Sequence, residues 1–240
     1  MKKLFLVLLL FPIISFGQLK GLIDRAKDKV NTAAENNRGV DIGAGLKEAL
    51  NKGITEQVSK LTATDGFYKN EAVKILMPDE LKKVDQTLRK MGMSNLADEG
   101  IKSLNRAAET AVKEATPIFV NAVKSMTIRD AKNILLGNDN AATVYLQGTT
   151  SKSLYAKFNP VVKESIGKVG ADAVWKSIIE KYNSIPFVSK VNPDINDYVT
   201  QKAMEGVFTM IAVEEKDIRT NSGARSSELL KKVFALQDKK

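Results

Sequence analysis

The chain has 240 residues, 37 of them Lys or Arg and 28 Asp or Glu, for a net charge of +9. It has no cysteine and no histidine. Disulfides, thiolate nucleophiles, Ser-His-Asp and Cys-His arrangements and zinc–histidine sites are therefore excluded, and any chemistry falls to carboxylate, lysine, tyrosine or hydroxyl groups.

The first element spans residues 1–17. Lys2 and Lys3 precede an apolar run from Leu4 to Phe16, and Ser15 and Gly17 supply small residues before Gln18. This is the layout of a cleavable signal peptide, and the run is too short to anchor a mature protein across a bilayer. The expectation is an exported, periplasmic protein with no transmembrane segment once matured. It is not a lipoprotein, because no cysteine is available for lipidation. Loss of Lys2 and Lys3 lowers the charge from +9 to +7. Residues 18–40 form an N-terminal amphipathic helix, with Leu19, Leu22, Ile23, Ala26, Val30, Ala33 and Ala34 at helical spacing. Docking on a partner or peripheral contact with a membrane is open to it.

Residues 41–240 read as a single helical domain. Leu46, Leu50, Ile54, Val58 and Leu61 stripe a helix from Ala44 to Leu61, and Asp65-Gly66 marks a turn. The residue before Pro78 avoids helical backbone, so residues 70–77 admit one short extended segment. Pro78 then opens a helix through Leu88 that stops at Gly92, and Ser94 caps another from Asn95 to Ala115. Thr116-Pro117 breaks that helix and starts the next. Thr127 and Asp130 are spaced as a capping pair, ahead of a helix ending at Gly137. Asn138-Asp139-Asn140 caps a helix carrying Tyr145, which residues 148–151 interrupt, and a kink or break falls at Pro160. Ala171, Val174, Trp175, Ile178, Ile179 and Tyr182 stripe another helix. A long one follows from Ile195 to Arg219, and Ser226 caps the last. The fold class is all-α. About ten helices form one bundle around the Ile195–Arg219 helix, with the Asn95 and Trp175 helices against it.

That long helix is apolar on most sides between Ala203 and Val213. At about 100° per residue, Glu214 falls within the stripe of Ala203, Val207, Ile211 and Ile218, and Glu215 on its shoulder beside Met204 and Phe208. A carboxylate placed so needs a partner or a proton. Three readings follow for Glu214: an internal ion pair with Arg106, Arg129, Arg219 or Arg225; a wall of a ligand cavity; or a general acid or base. Glu215, Tyr145, Tyr155, Arg106 and Arg225 complete the candidate ligand-binding set. The hydroxyls and aromatics of residues 143–158, including Tyr145 and Tyr155, suit the mouth of a site for a small amphiphile, or simply a polar connection. Glu109 and Lys113 have the spacing of a solvated helical pair. No catalytic set, metal site or cofactor fingerprint is found. Gly43-Ala44-Gly45 lacks the strand and third glycine of a dinucleotide loop, and Ser165-Ile166-Gly167-Lys168 lacks companion motifs. Few aromatics interleave with the lysines, which argues against nucleic acid.

Several stretches together resemble the bacterial domain-of-unknown-function 4197 family. They include residues 45–50, Asn105-Arg106-Ala107-Ala108-Glu109, Pro117-Ile118-Phe119, residues 141–145, Gly206-Val207-Phe208, residues 211–215 and Ala224-Arg225. The resemblance implies an exported, mostly helical protein in one family-wide domain, and implies no activity. The leading expectation is a non-catalytic binding protein for a small apolar or amphiphilic ligand or an envelope partner. The alternatives are a carboxylate-dependent hydrolase or lyase using Glu214 with Glu215 or Asp130, and a purely structural envelope protein.

Overall fold

Every regular element among the described residues of the computed structural model is a helix. The structure describes residues 42–78, 82–168 and 194–238, apart from positions 91, 93 and 226, together with scattered positions between 172 and 190. The leader, the helix expected over 18–40 and the Trp175 stripe lie outside the described residues. In chain order the elements are α1 (residues 42–62), α2 (Lys82–Lys90), α3 (Ser94–Ala111), α4 (Ala115–Ser125), α5 (Ile128–Leu136), α6 (Ala141–Gly167), α7 (Ile195–Thr220) and α8 (Glu228–Phe234). Short 3₁₀ turns at Val112–Glu114 and Ser222–Ala224 follow α3 and α7.

Local chemistry sets several of the ends. The Thr127 hydroxyl accepts the Asp130 N–H, and the Asp130 carboxylate accepts the Thr127 N–H, a complete capping box at the start of α5. Ser227, rather than the expected Ser226, caps α8 by accepting the Leu230 N–H.

Three expectations are corrected. First, α6 runs through residues 148–151 and through Pro160 without a break. Its buried positions Ala142, Leu146, Thr150, Leu154, Phe158, Val162 and Ile166 recur every fourth residue, so one apolar seam continues through the weak helix formers. The hydroxyls of Thr149, Thr150 and Ser151 bond back to carbonyls one turn earlier, and Pro160 sits on the exposed face, where water can serve the carbonyl it leaves unpaired. Second, the break expected at Thr116-Pro117 falls a few residues earlier, at Val112–Glu114, although a new helix does start there as expected. The chain passes from α3 through the 3₁₀ turn into α4, and Pro117 lies in the first turn of α4, where its missing N–H is not needed. Third, the short extended segment admitted over residues 70–77 does not fill that range and belongs to no strand among the described residues. These residues run as turns to Val73 and then as irregular chain to Pro78.

Among the helices from α2 to α8, α6 and α7 form the most extensive pair, and α3 lies against both. The centre of the bundle is therefore shared by α6 and α7. The main core gathers Phe67, Phe119, Phe158, Val199, Val207 and their neighbours, with Phe119 edge-on to Phe208 at 5.9 Å. A second cluster joins the start of α1 to α5 and α8 through Leu46, Ile134, Leu135, Ile218, Leu230 and Phe234.

Candidate functional site

Glu215 and Arg219 sit one turn apart on α7 and are almost wholly buried. The Glu215 carboxylate accepts the backbone N–H groups of Ala142 and Thr143 at 2.8 Å each, and the Thr143 hydroxyl at 2.8 Å. These are first-turn donors of α6, whose own N-cap residue, Asn140, makes no side-chain cap. The cap is thus supplied from α7 rather than by the expected Asn138-Asp139-Asn140 run. Arg219 completes the carboxylate's shell through Nε and Nη2, at 3.0 and 2.7 Å. The same guanidinium donates to the carbonyls of Ile134 and Leu135 at the end of α5. An anion therefore meets a helix N-terminus and a cation a helix C-terminus, the favourable sense for both dipoles. Arg225 repeats the device. It donates to the carbonyls of Ile218 and Arg219 at the end of α7 and is paired through two nitrogens with Asp238. The bonded Asp238 carboxylate holds Arg225 above the usual guanidinium value, and Arg225 holds Asp238 below the usual carboxylate value.

Glu214, the residue expected to be the arginine-paired internal carboxylate, is only partly buried and accepts the Gln57 amide of α1 at 2.6 Å. The role belongs to its neighbour. Ala203, Val207, Ile211 and Ile218 of the projected stripe are buried, but so is its shoulder through Met204, Phe208, Glu215 and Arg219, and it is Glu214 that lies half-exposed. The cavity beside these carboxylates measures about 30 Å³, with Leu50, Ile54, Ile211 and Phe234 in its lining. That volume is the size of a water or two, far below a small-ligand site.

Arg106 does not reach Glu214 either. It bonds Glu109 at 2.5 Å and Asp65 at 2.6 Å. Glu109 is buried, not the solvated partner of Lys113 that its spacing suggests; its other oxygen accepts the N–H groups of Phe67 and Tyr68. Asn105, fully buried, accepts the Ile75 N–H and donates to the Ile75 carbonyl, both at 2.8 Å. One turn of α3 therefore clasps the irregular segment by its backbone, taking the place a neighbouring strand would hold. Two glycines make the clasp possible. A Cβ on Gly66 would stand 2.3 Å from the Lys60 carbonyl oxygen, and one on Gly206 would stand 2.7 Å from the Phe67 ring.

The two tyrosines lie apart from Glu214. Tyr155 donates to Asp197 at 2.7 Å, and that bond raises its pKa. Tyr145 is raised chiefly by burial and next by the charge of Asp130, beside which it lines a shallow depression of about 410 Å³. Of the six residues expected to form one site, Glu214 and Glu215 line the same small cavity, while Tyr145, Tyr155, Arg106 and Arg225 are not in its lining.

A groove that sequence reading did not find lies between residues 72–78 and α7. Its volume is about 450 Å³, within the range of small-ligand sites. Lys74, Leu76, Met77, Lys82, Lys202 and Gly206 are among its lining residues. Tyr198 donates from α7 to the Leu76 carbonyl across it. The available signal was Gly206, a glycine in the apolar middle of a long helix, which marks a close approach by another segment.

Among the described residues no group of three or more acidic side chains is placed to hold a metal, and no helix is long and apolar enough to cross a membrane. A family model described as Protein of unknown function (DUF4197) matches residues 36–235. No curated protein and no solved structure matches the chain.

Proposed function

The chain belongs to the DUF4197 family, which lends it no activity, and on its geometry we propose that it is a non-catalytic binding protein of the bacterial envelope with the 72–78/α7 groove as its ligand seat. The Lys2–Gly17 leader pattern supports export to the periplasm. We extend the bundle to about ten helices, one of them the Trp175 stripe. The observation that carries the reading is the groove's volume of about 450 Å³ together with a wall whose backbone Asn105 and Tyr198 hold in place, against about 30 Å³ beside Glu214 and Glu215. A small apolar or amphiphilic molecule fits the first and is excluded from the second.

Acid–base catalysis has little to work with. Five donors occupy Glu215, and Asp130 is spent on its capping box. A purely structural role is the second reading. It is favoured because the deeply buried ionic groups Glu109, Glu215, Arg219 and Arg225 all bind helix ends or loop backbone.

Native mass spectrometry on mature protein recovered from its own periplasm tests the reading. A co-purifying small amphiphile that is lost in a Leu76→Asp variant is the expected result. Bare protein in repeated preparations favours the structural role, and a mature N-terminus other than Gln18 or its close neighbours removes the export argument.

A further inference from the structure

We infer that the groove takes an extended polypeptide segment, laid along residues 74–77 as an added strand, an inference that rests on the groove being the ligand seat. One side of the backbone there is already paired. Asn105 bonds both the N–H and the carbonyl of Ile75, at 2.8 Å each, which requires those two groups side by side, as extended chain holds them. In a trans peptide the N–H and the carbonyl point opposite ways. The Lys74 carbonyl and the Leu76 N–H therefore point away from α3, on the side where Tyr198 donates to the Leu76 carbonyl across the groove at 3.0 Å. Neither of the two has a partner among the described residues. An acceptor and a donor placed on either side of Ile75 are what one residue of a parallel strand bonds, through its own N–H and carbonyl.

The facing wall is a polar row on α7, with Lys202, Glu205 and Thr209 about one turn apart on the face that carries Tyr198. Lys202 meets Glu205 at 2.7 Å, and on the other wall Lys74 meets Glu71 at 3.7 Å, so these charges are met in pairs and leave no call for an ionic ligand. The Thr200 and Thr220 hydroxyls of the same helix bond back to carbonyls four residues earlier; that of Thr209 has no partner among the described residues. Both walls thus offer donors as well as acceptors. A peptide backbone brings one of each per residue, and main-chain bonds carry the affinity of an added strand. Leu76, half exposed although hydrophobic, gives one apolar contact beside them. Asn105 and Tyr198 fix the edge before a partner arrives, which lowers the cost of ordering it.

Calorimetric titration of the mature chain with a blocked pentapeptide of alternating threonine and valine tests the assignment, because backbone pairing requires no particular side chains. The controls are two analogues, each N-methylated at one of the two alternating sets of amides. The parent peptide is expected to bind, at least one analogue about tenfold more weakly, and Thr209→Val is expected to weaken the parent about threefold to tenfold. Hydrogen exchange at the Leu76 amide is expected to slow in the complex. Equal binding of all three peptides, or binding that leaves Leu76 exchange unchanged, overturns the added strand and leaves the groove reading intact. If the parent peptide does not bind while a molecule recovered with the protein is still lost in Leu76→Asp, the polypeptide falls and the groove stands. If the peptide does not bind and nothing is recovered with the protein, both readings fall. Both substitutions are at side chains reached by solvent, and a melting curve for each variant confirms that it is folded.

Discussion

Glu215 and Arg219 face each other as a buried pair at 2.7 Å, and each also closes the end of a different neighbouring helix: α6 at its N-terminus, α5 at its C-terminus. Two elements linked only by a short turn are thereby clamped to α7. The pair is a joint between helices, bonded to backbone of α5 and α6 and to the Thr143 and Gln237 side chains.

Removing one member leaves the other charged and buried. Glu215→Ala and Arg219→Ala are each expected to lower stability by about 3–5 kcal/mol in urea denaturation. Glu214→Gln, at a partly buried residue that accepts one amide, is expected to cost only about 0.5–1.5 kcal/mol. Equal losses at the two positions would contradict the assignment of the buried role to Glu215.

The clasp on residues 72–78 depends on an amide that both donates and accepts. Asn105→Asp keeps the acceptor for the Ile75 N–H but loses the donor to the Ile75 carbonyl, and Asn105→Leu loses both. Leaving buried backbone unpaired costs about 1–3 kcal/mol per group. Hydrogen exchange at the Ile75 amide is expected to quicken in Asn105→Leu and to be less affected in Asn105→Asp.

Substitutions at glycine should separate close packing from helix propensity. Gly66→Ala places a methyl group against the Lys60 and Leu61 carbonyls, which cannot turn aside, and is expected to destabilise by at least about 1–3 kcal/mol. Gly148→Ala lies inside α6 with nothing within 4 Å of the new Cβ, and is expected to stabilise by about 0.5–1 kcal/mol. Thermal midpoints of the two variants should therefore move in opposite directions.

Stability should be flat across the neutral range and fall at both extremes. Asp65 is lowered by its bond to Lys69 and then by the charge of Arg106; Asp130 by the Thr127 hydroxyl; Asp238 by Arg225. A carboxyl with a lowered folded pKa binds fewer protons folded than unfolded. Its contribution is present above the ordinary value of 3.8 and is lost as pH falls through the lower folded value. Tyr145 and Tyr155 are raised, so their contribution is present below the ordinary value of 10.0 and lost as pH rises beyond it. With no histidine or cysteine, no side chain has an ordinary pKa between about 5 and 8. Thermal midpoints measured from about pH 5 to pH 8 should be level. Asp238→Asn should differ from the parent at neutral pH and converge with it in acid.

Helicity itself was legible in the order of residues. The stripe of α1, the turn at Asp65-Gly66 and the Thr127–Asp130 capping box are all local patterns, written within a turn or two of chain, and the structure contains each of them. Reading failed where distant chain decided. Residues 148–151 and Pro160 look like helix breaks, but the every-fourth-residue seam of α6 packs against α7 and α3, and that burial outweighs local propensity. Glu109 looks like a solvated helix residue, but the Phe67 N–H that it binds where it is buried lies 42 residues away in the chain.

The sequence by itself determined the secondary structure class, the family, and the exclusion of thiol, imidazole and disulfide chemistry. Only the tertiary structure decided which of two adjacent glutamates is internal, what the arginines bind, and where a space of ligand size lies. The physical reason is range. Periodicity and capping act over three or four residues. A groove or a buried ion pair instead takes shape from side chains that folding brings together, and a helical wheel carries no record of which neighbour covers which side.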